Sequence, residues 1–222
     1  MDLSTTYLGF TLPHPLIPGA SPLSDEIDGV RRLEDAGAPM IVLRSLFEEQ
    51  LVHEQFAAQS GIDAHENAFA EALSYFPTPE GFRFGPDSYI EHLVRVKRSV
   101  GVPVVASLNG TTPGGWVEYA RLLESAGADA LELNLFLVPT DPEESAGDIE
   151  DRLLALIRSV RAHVKMPLAV KISPFYTSLP HFARRVESEG ADALVVFNRF
   201  YEPDIDIRDQ QVVRTLTLSS SV

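Results

Sequence analysis

One phrase recurs in this chain and limits its fold more than any other feature. Leu123-Glu124-Ser125-Ala126-Gly127-Ala128-Asp129-Ala130-Leu131 returns as Val186-Glu187-Ser188-Glu189-Gly190-Ala191-Asp192-Ala193-Leu194, with a shorter copy at Leu33-Glu34-Asp35-Ala36-Gly37-Ala38. In each copy a helical pattern stops at a glycine, the residue that most readily takes the left-handed conformation closing a helix. A short turn and an apolar strand follow. The strands then meet a polar residue, Arg44, Asn134 or Asn198. A repeated helix-to-strand joint requires parallel pairing through helical crossovers. Polar side chains gathered at strand ends on one rim are the sequence form of a (β/α) barrel. The competing doubly wound sheet carries a glycine fingerprint after its first strand, which Gly19-Ala20-Ser21-Pro22-Leu23 does not supply.

Taken in order, the apolar alternation of Leu3 to Leu12 around Gly9 predicts a small hairpin capping one end of the barrel. Strands are expected at His14–Ser21, Pro39–Ser45, Pro103–Asn109, Ala130–Leu135, Pro167–Ser173 and Ala193–Arg199. Helices are expected at Asp25–Gly37, Asp87–Val100, Gly115–Ala126, Ala146–Val164 and Leu179–Glu189. Leu46 to Pro86 is a long connection, of the kind that serves as a lid or carries its own helix, here at Ala64–Leu73. The expected class is therefore α/β, a (β/α)8 TIM barrel in one domain over residues 1–222, with about six βα units present rather than eight. Beyond Arg199 the pattern becomes irregular, with an alternating segment at Ile205–Thr215. A partial barrel leaves strand edges open, so association of copies is expected.

Composition narrows the partners. Eighteen basic against thirty-two acidic residues give a net charge of −14, which argues against nucleic acid or an anionic membrane surface, so that any anionic ligand must be held by local positive groups. The absence of cysteine excludes disulfides, thiolate metal sites and a cysteine base. The amino-terminal MDLSTTYLGF lacks the basic and apolar regions of a signal peptide, and a cytoplasmic protein is expected. The six histidines form no metal pattern, since His53-Glu54 and His65-Glu66 each lack a second histidine, and they are expected to be solvated. Trp116 and the phenylalanines read as core, and the acidic run Asp141 to Asp151 as a solvated loop and first helical turn.

The segment PLAVKIS, Pro167 to Ser173, places a lysine near the far end of an apolar strand. Burying an ammonium is costly unless an anion meets it, so Lys171 either reaches solvent or has a partner. Glu132, inside another apolar strand, is expected to face such a partner or the helix layer. Asn109 and Asn134 would each pass singly for a turn cap, but both fall at strand ends.

Taken together, HPLIPGAS, GAPMIVLRS, VPVVASLNG, GADALELNL, MPLAVKISPFY and GADALVVFNRFYEPDIDI resemble class 1 dihydroorotate dehydrogenases and the bacterial group called dihydroorotate dehydrogenase-like. That resemblance implies a TIM barrel binding FMN across the strand ends and oxidising dihydroorotate to orotate in pyrimidine biosynthesis. It assigns flavin contacts to Ala20, Ser21, Arg44, Ser45, Asn109, Asn134 and Lys171, the last stabilising negative charge in the reduced ring. It assigns substrate contacts to Asn134 and Asn198, whose carboxamides both donate and accept, as a dihydropyrimidine edge requires. The sequence departs from the family in four places. Arg44 replaces a lysine. Asn134-Leu135-Phe136-Leu137-Val138-Pro139 replaces Asn-Leu-Ser-Cys-Pro-Asn, removing the base. The asparagine expected in the long loop is not visible in Ser74-Tyr75-Phe76-Pro77-Thr78-Pro79, and the phosphate-holding loops of strands seven and eight are not found. Two other readings stay open: a catalytically silent or truncated barrel, and a Schiff-base lyase using Lys171.

Overall fold

A computed structural model of the chain describes residues 1–47, 86–110, 113–135, 137, 139, 141–198, 204–206, 208 and 211–213. Its elements run β1 (Thr5–Tyr7), β2 (Phe10–Leu12), a 3-10 turn (Pro22–Ser24), α1 (Ile27–Asp35), β3 (Ile41–Val42), β4 (Leu46–Phe47), α2 (Pro86–Ser99), β5 (Val104–Gly110) and α3 (Pro113–Ser125). There follow β6 (Ala130–Leu135), α4 (Ala146–Arg161), β7 (Leu168–Ile172), α5 (Leu179–Ser188), β8 (Ala193–Val196), β9 (Asp204–Asp206) and β10 (Gln211–Val213). The main sheet is parallel in the order β3-β5-β6-β7-β8, with β4 also pairing β5. The strands lie side by side in chain order without a reversal. A doubly wound sheet reverses at its switch point. The fold is thus α/β, a partial (β/α) barrel.

Alternation along each strand sorts its side chains into two layers. Val104, Ala106 and Leu108 of β5, Leu131, Leu133 and Leu135 of β6, and Leu168, Val170 and Ile172 of β7 belong to the large core shared with the helices. The helices answer with one buried stripe each: Tyr89, Leu93 and Val96 on α2, Trp116, Ala120 and Leu123 on α3, and Leu153, Leu154, Ile157 and Val160 on α4. The opposite strand face carries Val42, Val105, Ala130 and Ala169, which form a second cluster with Leu8 and Leu12. The predicted hairpin, β1 paired with β2, is therefore the floor of the concave face. Its turn puts Leu8 at φ 50° and Gly9 at φ 80°, the left-handed pair of a two-residue hairpin. Leu8 tolerates that conformation because its side chain is buried in the floor: burial contributes about 1.5–3 kcal/mol against about 1–2 kcal/mol of backbone strain.

The recurring phrase has one recurring geometry. Gly37, Gly127 and Gly190 have φ of 94°, 95° and 95°, closing their helices in the left-handed region. The glutamate of the phrase then ties its helix to the next helix-to-strand turn: Glu34 accepts from the Gly101 amide at 2.7 Å, and Glu124 from the Lys165 and Met166 amides at 2.7 Å. The aspartate ties back to the preceding strand. Asp129 accepts from the Val104 amide (2.6 Å) and Lys97 (2.5 Å), and Asp192 from the Leu168 amide (2.8 Å) and Arg161 (3.2 Å). Each repeat is thus stapled to its neighbours through otherwise orphaned amides at the strand beginnings.

Several boundaries differ from expectation. His14–Ser21 forms no paired strand, because Pro15 and Pro18 remove two of the donors that a ladder needs. The predicted strand Pro39–Ser45 is paired as a strand only at β3, and pairing resumes just past its end at β4, where the long connection is expected to begin: Ile41 faces Val104 whereas Leu46 faces Leu108, so the edge carries one extra residue, a bulge. The Tyr89 hydroxyl fills the gap, accepting from the Ser107 amide at 3.0 Å. Helix α4 stops at Arg161, short of Val164, where the Arg161 guanidinium turns back to the carbonyls of Val164 and Met166. His92 is buried rather than solvated, with Nε2 2.7 Å from the Ser24 carbonyl. Trp116 is core, as expected. The alternating segment near the carboxyl end contains a separate antiparallel pair, β9 with β10. The helix expected at Ala64–Leu73 lies outside the described residues, as does most of the long connection.

Candidate functional site

The concave face changes character from floor to rim. Above Val105 and Ala130, parallel register sets Ser107 beside Glu132 and Glu132 beside Ala169. The next row sets Asn109 beside Asn134, Asn134 beside Lys171 and Lys171 beside Val195. Each polar residue alternates with one buried under the helices, so the polar side chains of both rows face the concavity. The C-terminal ends of barrel strands are where such folds hold their chemistry.

Lys171 is held and not merely solvated. Its Nζ lies 3.5 Å from Glu132 Oε1, with 18% of the lysine side chain and 6% of the glutamate side chain exposed. The distance is that of a loose ion pair, and Ser107 Oγ also donates to the same carboxylate oxygen at 3.3 Å. Ser107 Oγ lies 2.8 Å from Ser45 Oγ, at the bulged edge between β3 and β4. Burial pushes the Tyr7 hydroxyl above its ordinary pKa, and the Glu132 charge adds to that. Burial also raises Tyr89, opposed by its bond to the Ser107 backbone and reinforced by Glu132. Glu132 is thus the negative centre of the concave face, met by Lys171 and Ser107.

Asn198 follows β8, and its amide donates to the Ile172 carbonyl at 2.7 Å, extending the ladder past the strand. From there its Nδ2 donates to Asn134 Oδ1 at 2.5 Å, across the strand that bears Lys171. The two asparagines assigned to substrate are therefore in direct contact, beside the lysine. Their arrangement leaves the Asn134 amide group and the Asn198 carbonyl oxygen to act outward, one donor and one acceptor side by side.

On the other flank, Ala20 packs against the floor cluster, and Ser21 precedes the 3-10 turn Pro22–Ser24. Ser24, buried, donates from Oγ to the Ser21 carbonyl at 2.9 Å and accepts the Arg44 amide at 3.0 Å. Arg44 Nη1 meets buried Asp25 at 3.0 Å. These bonds fix the Ala20-Ser21 loop beside Arg44 and Ser45. Gly29 allows the close approach of α1 to that turn, since a Cβ there would stand 2.4 Å from the Leu23 carbonyl oxygen. The structure so brings together Ser45, Asn134, Lys171 and Asn198 through shared neighbours, places Asn109 in the same row, and holds Ala20, Ser21 and Arg44 on the adjoining loop.

Sequence reasoning missed Ser107, although it shares the parity of Asn109 in VVASLNG and that signal was available. It also missed Ser24, Asp25 and His92, whose roles depend on a turn meeting α2 and leave no pattern along the chain. No helix among the described residues is long and apolar enough to cross a membrane, and none of the described residues form a group of three or more potential metal ligands.

The class that fold and rim define is a parallel α/β half-barrel with its polar constellation at the C-terminal strand ends. No family model matches the chain. Among curated proteins, it is 28% identical over 216 residues to the catalytic subunit of dihydroorotate dehydrogenase B (NAD(+)) from Methanocella arvoryzae, covering 93% of this chain and 65% of that protein. The same subunit from Thermoplasma acidophilum is 27% identical over 224 residues, covering 96% of this chain and 68% of that protein. The chain is accordingly a distant homologue of the dihydroorotate dehydrogenase B catalytic subunit, and shorter than it, spanning about two thirds of the length of these two relatives. Among solved structures, a dihydrodipicolinate synthase from Agrobacterium tumefaciens overlaps 81% of this chain and 51% of that one, at a TM-score of 0.49 and 15% identity.

Proposed function

We propose that the chain is a flavoprotein oxidoreductase of the dihydroorotate dehydrogenase type, binding FMN over the rim and dehydrogenating a CH–CH bond of a dihydropyrimidine-like small molecule. The observation that carries the reading is the registered row Asn109, Asn134, Lys171, with Asn198 bonded across it to Asn134. A flavin ring presents alternating N–H, C=O and bare nitrogen on one edge, and this row offers carboxamides of both polarities beside one cation. The donor set therefore fits the ring. When bound, FMN supplies a hydride acceptor.

Within that reading each residue has a definable task. Lys171 holds positive charge next to the ring, where reduction adds negative charge, and Glu132 below keeps the ammonium on the concave face. Asn134 and Asn198 orient the substrate by paired donor and acceptor. Ala20, Ser21, Arg44, Ser45 and Asn109 border the flavin. Arg44 shares its charge with Asp25, so its contribution to an anionic ligand is reduced relative to an unpaired cation. The Schiff-base alternative is disfavoured by Glu132: a nucleophilic lysine needs apolar or cationic surroundings, and this one stands beside a carboxylate. Among the described residues β8 pairs only with β7, and that edge, where Val196 and Phe197 are 59% and 45% exposed, is where copies would associate; a cytoplasmic site of action goes with the dihydroorotate dehydrogenase reading.

The test is the visible spectrum of the purified chain after incubation with FMN and gel filtration. Flavin retained near stoichiometry and bleached anaerobically by L-dihydroorotate supports the proposal, and Asn134→Ala should abolish bleaching. A chain that never retains flavin defeats it and leaves the silent barrel.

A further inference from the structure

Ser45, Ser107 and Glu132 form a continuous hydrogen-bonded line within the row below the rim, from the half-buried edge bulge to a buried carboxylate, and the reading above uses it only to hold Lys171. Ser45 Oγ is 2.8 Å from Ser107 Oγ, and Ser107 Oγ donates to Glu132 Oε1 at 3.3 Å. A serine has one hydroxyl proton. With Ser107's given to Glu132, Ser45 must donate to Ser107, which leaves the Ser45 lone pairs turned outward. The order of donors therefore runs one way, from the edge bulge inward to the carboxylate.

We propose that Ser45–Ser107–Glu132 is a proton relay and that it removes the substrate proton in this chain. This rests on the dehydrogenase reading. Dehydrogenation of a CH–CH unit removes a hydride and a proton, and the proton needs an acceptor. The chain contains no cysteine, and Leu137 stands where the family's motif has one. In the relay, Ser45 Oγ takes the carbon-bound proton as its own passes to Ser107 Oγ and that of Ser107 passes to Glu132. The C–H electron pair would stay on the substrate and become the new C=C bond, the hydride acceptor being the FMN of the dehydrogenase reading when bound. The carboxylate ends neutral, and no other oxidant or base is needed. Ser45 is half-buried at the edge bulge while Glu132 is nearly sealed, so the carboxylate reaches a ligand through the serines. Among the described residues, Lys171 on β7 and Ser107 on β5 contact Glu132, and the hydroxyls of Tyr7 on β1 and Tyr89 on α2 lie close enough to feel its charge. Lys171 sets a positive charge 3.5 Å from the carboxylate oxygen that would receive the proton.

The proton step can be read apart from the redox step. The proton next to the ring carbonyl of L-dihydroorotate exchanges with solvent whenever a base removes and returns it, with or without flavin. The experiment follows its loss by proton NMR in D2O, for the chain with and without FMN, across pH. Exchange should fall at least tenfold in Ser45→Ala and Ser107→Ala and about a hundredfold in Glu132→Gln, within the usual range for a positioned base. Ser45→Thr, which keeps the hydroxyl, should retain exchange within a few-fold, and Glu132→Gln should flatten the pH profile. Circular dichroism checks that each variant folds. Wild-type chain that catalyses no exchange overturns the relay, as does exchange undiminished in folded Ser45→Ala or Glu132→Gln. Flavin retention and bleaching with unchanged exchange in those variants would leave the dehydrogenase standing without the relay. Relay-dependent exchange in a chain that holds no flavin would separate the two in the other direction.

Discussion

Replacing Lys171 with methionine removes the cation from Glu132 and keeps the side-chain length. The pair lies at 3.5 Å with both members largely shielded. At that separation two unit charges interact by about 5 kcal/mol for the effective dielectric of ~20 that suits protein sites. Part of this is offset, because methionine avoids the cost of holding an ammonium away from water and adds apolar packing. The remaining charge is the larger concern: a carboxylate left buried without its partner typically costs about 3–5 kcal/mol. Lys171→Met should therefore lose about 3 kcal/mol, held to the lower end by the Ser107 hydroxyl still donating to Glu132. Glu132→Gln should lose less, about 1–2 kcal/mol, because a lysine with residual exposure can turn its ammonium toward solvent. The double variant has no charge to strand and should lie closer to wild type than Lys171→Met, giving a coupling of at least about 1.5 kcal/mol. Urea unfolding followed by circular dichroism measures this. With a slope of about 2 kcal/mol/M, Lys171→Met lowers the midpoint by ~1.5 M and the second substitution restores much of it. Additive costs, with the double variant the least stable of the three, would show that the pair is not coupled and that Glu132 answers to Ser107 alone.

Two further outcomes concern groups away from the rim. Ser145 caps α4 in a full capping box, accepting from the Asp148 amide at 3.2 Å while Asp148 accepts from the Ser145 amide, and Ser145→Ala should cost about 1 kcal/mol, read as a fall of a few degrees in Tm. Burial and the nearby Glu150 charge push the Tyr176 hydroxyl up to about 12 from 10.0. Its folded pKa is the higher one, so its contribution to stability is complete below about pH 10 and is lost as pH rises toward 12. Alkaline unfolding followed by ellipticity and tyrosinate absorbance should set in across that window, and Tyr176→Phe, which keeps the 4.0 Å stack on Phe182, should make it shallower.

The parts of this structure that the sequence makes legible are those written in local, repeated form. The three left-handed glycines, the helices ahead of them and the strands behind them follow from one phrase, because a helix stop and a strand start are both decided within a few residues. Lys171 and Glu132 could be paired in advance because each interrupts an apolar strand, and buried charges of opposite sign need each other. The segment His14–Ser21 misled because its apolar residues read as a strand while its prolines deny it a ladder, and propensity gives way when the donors are missing.

What remained hidden depends on register. Whether Asn109, Asn134 and Lys171 share one row, and whether Ser107 falls next to Glu132, is set by how far each strand slides along its neighbour. That sliding is fixed here by contacts between repeats, with Asp129 and Asp192 each holding the first amide of the preceding strand. A slip of one residue would turn every polar group of a strand into the helix layer and every leucine outward, so the apolar alternation of the strands and the aspartate staples select the same alignment. The chemistry of the rim is then a consequence of the joints at the opposite end of the sheet. The Gly-Ala-Asp that follows α3 and α5 also decides which side chains meet at the mouth, which is why the bulge between β3 and β4, lying outside that repeat, had to be seen before Ser45 could be connected to Glu132.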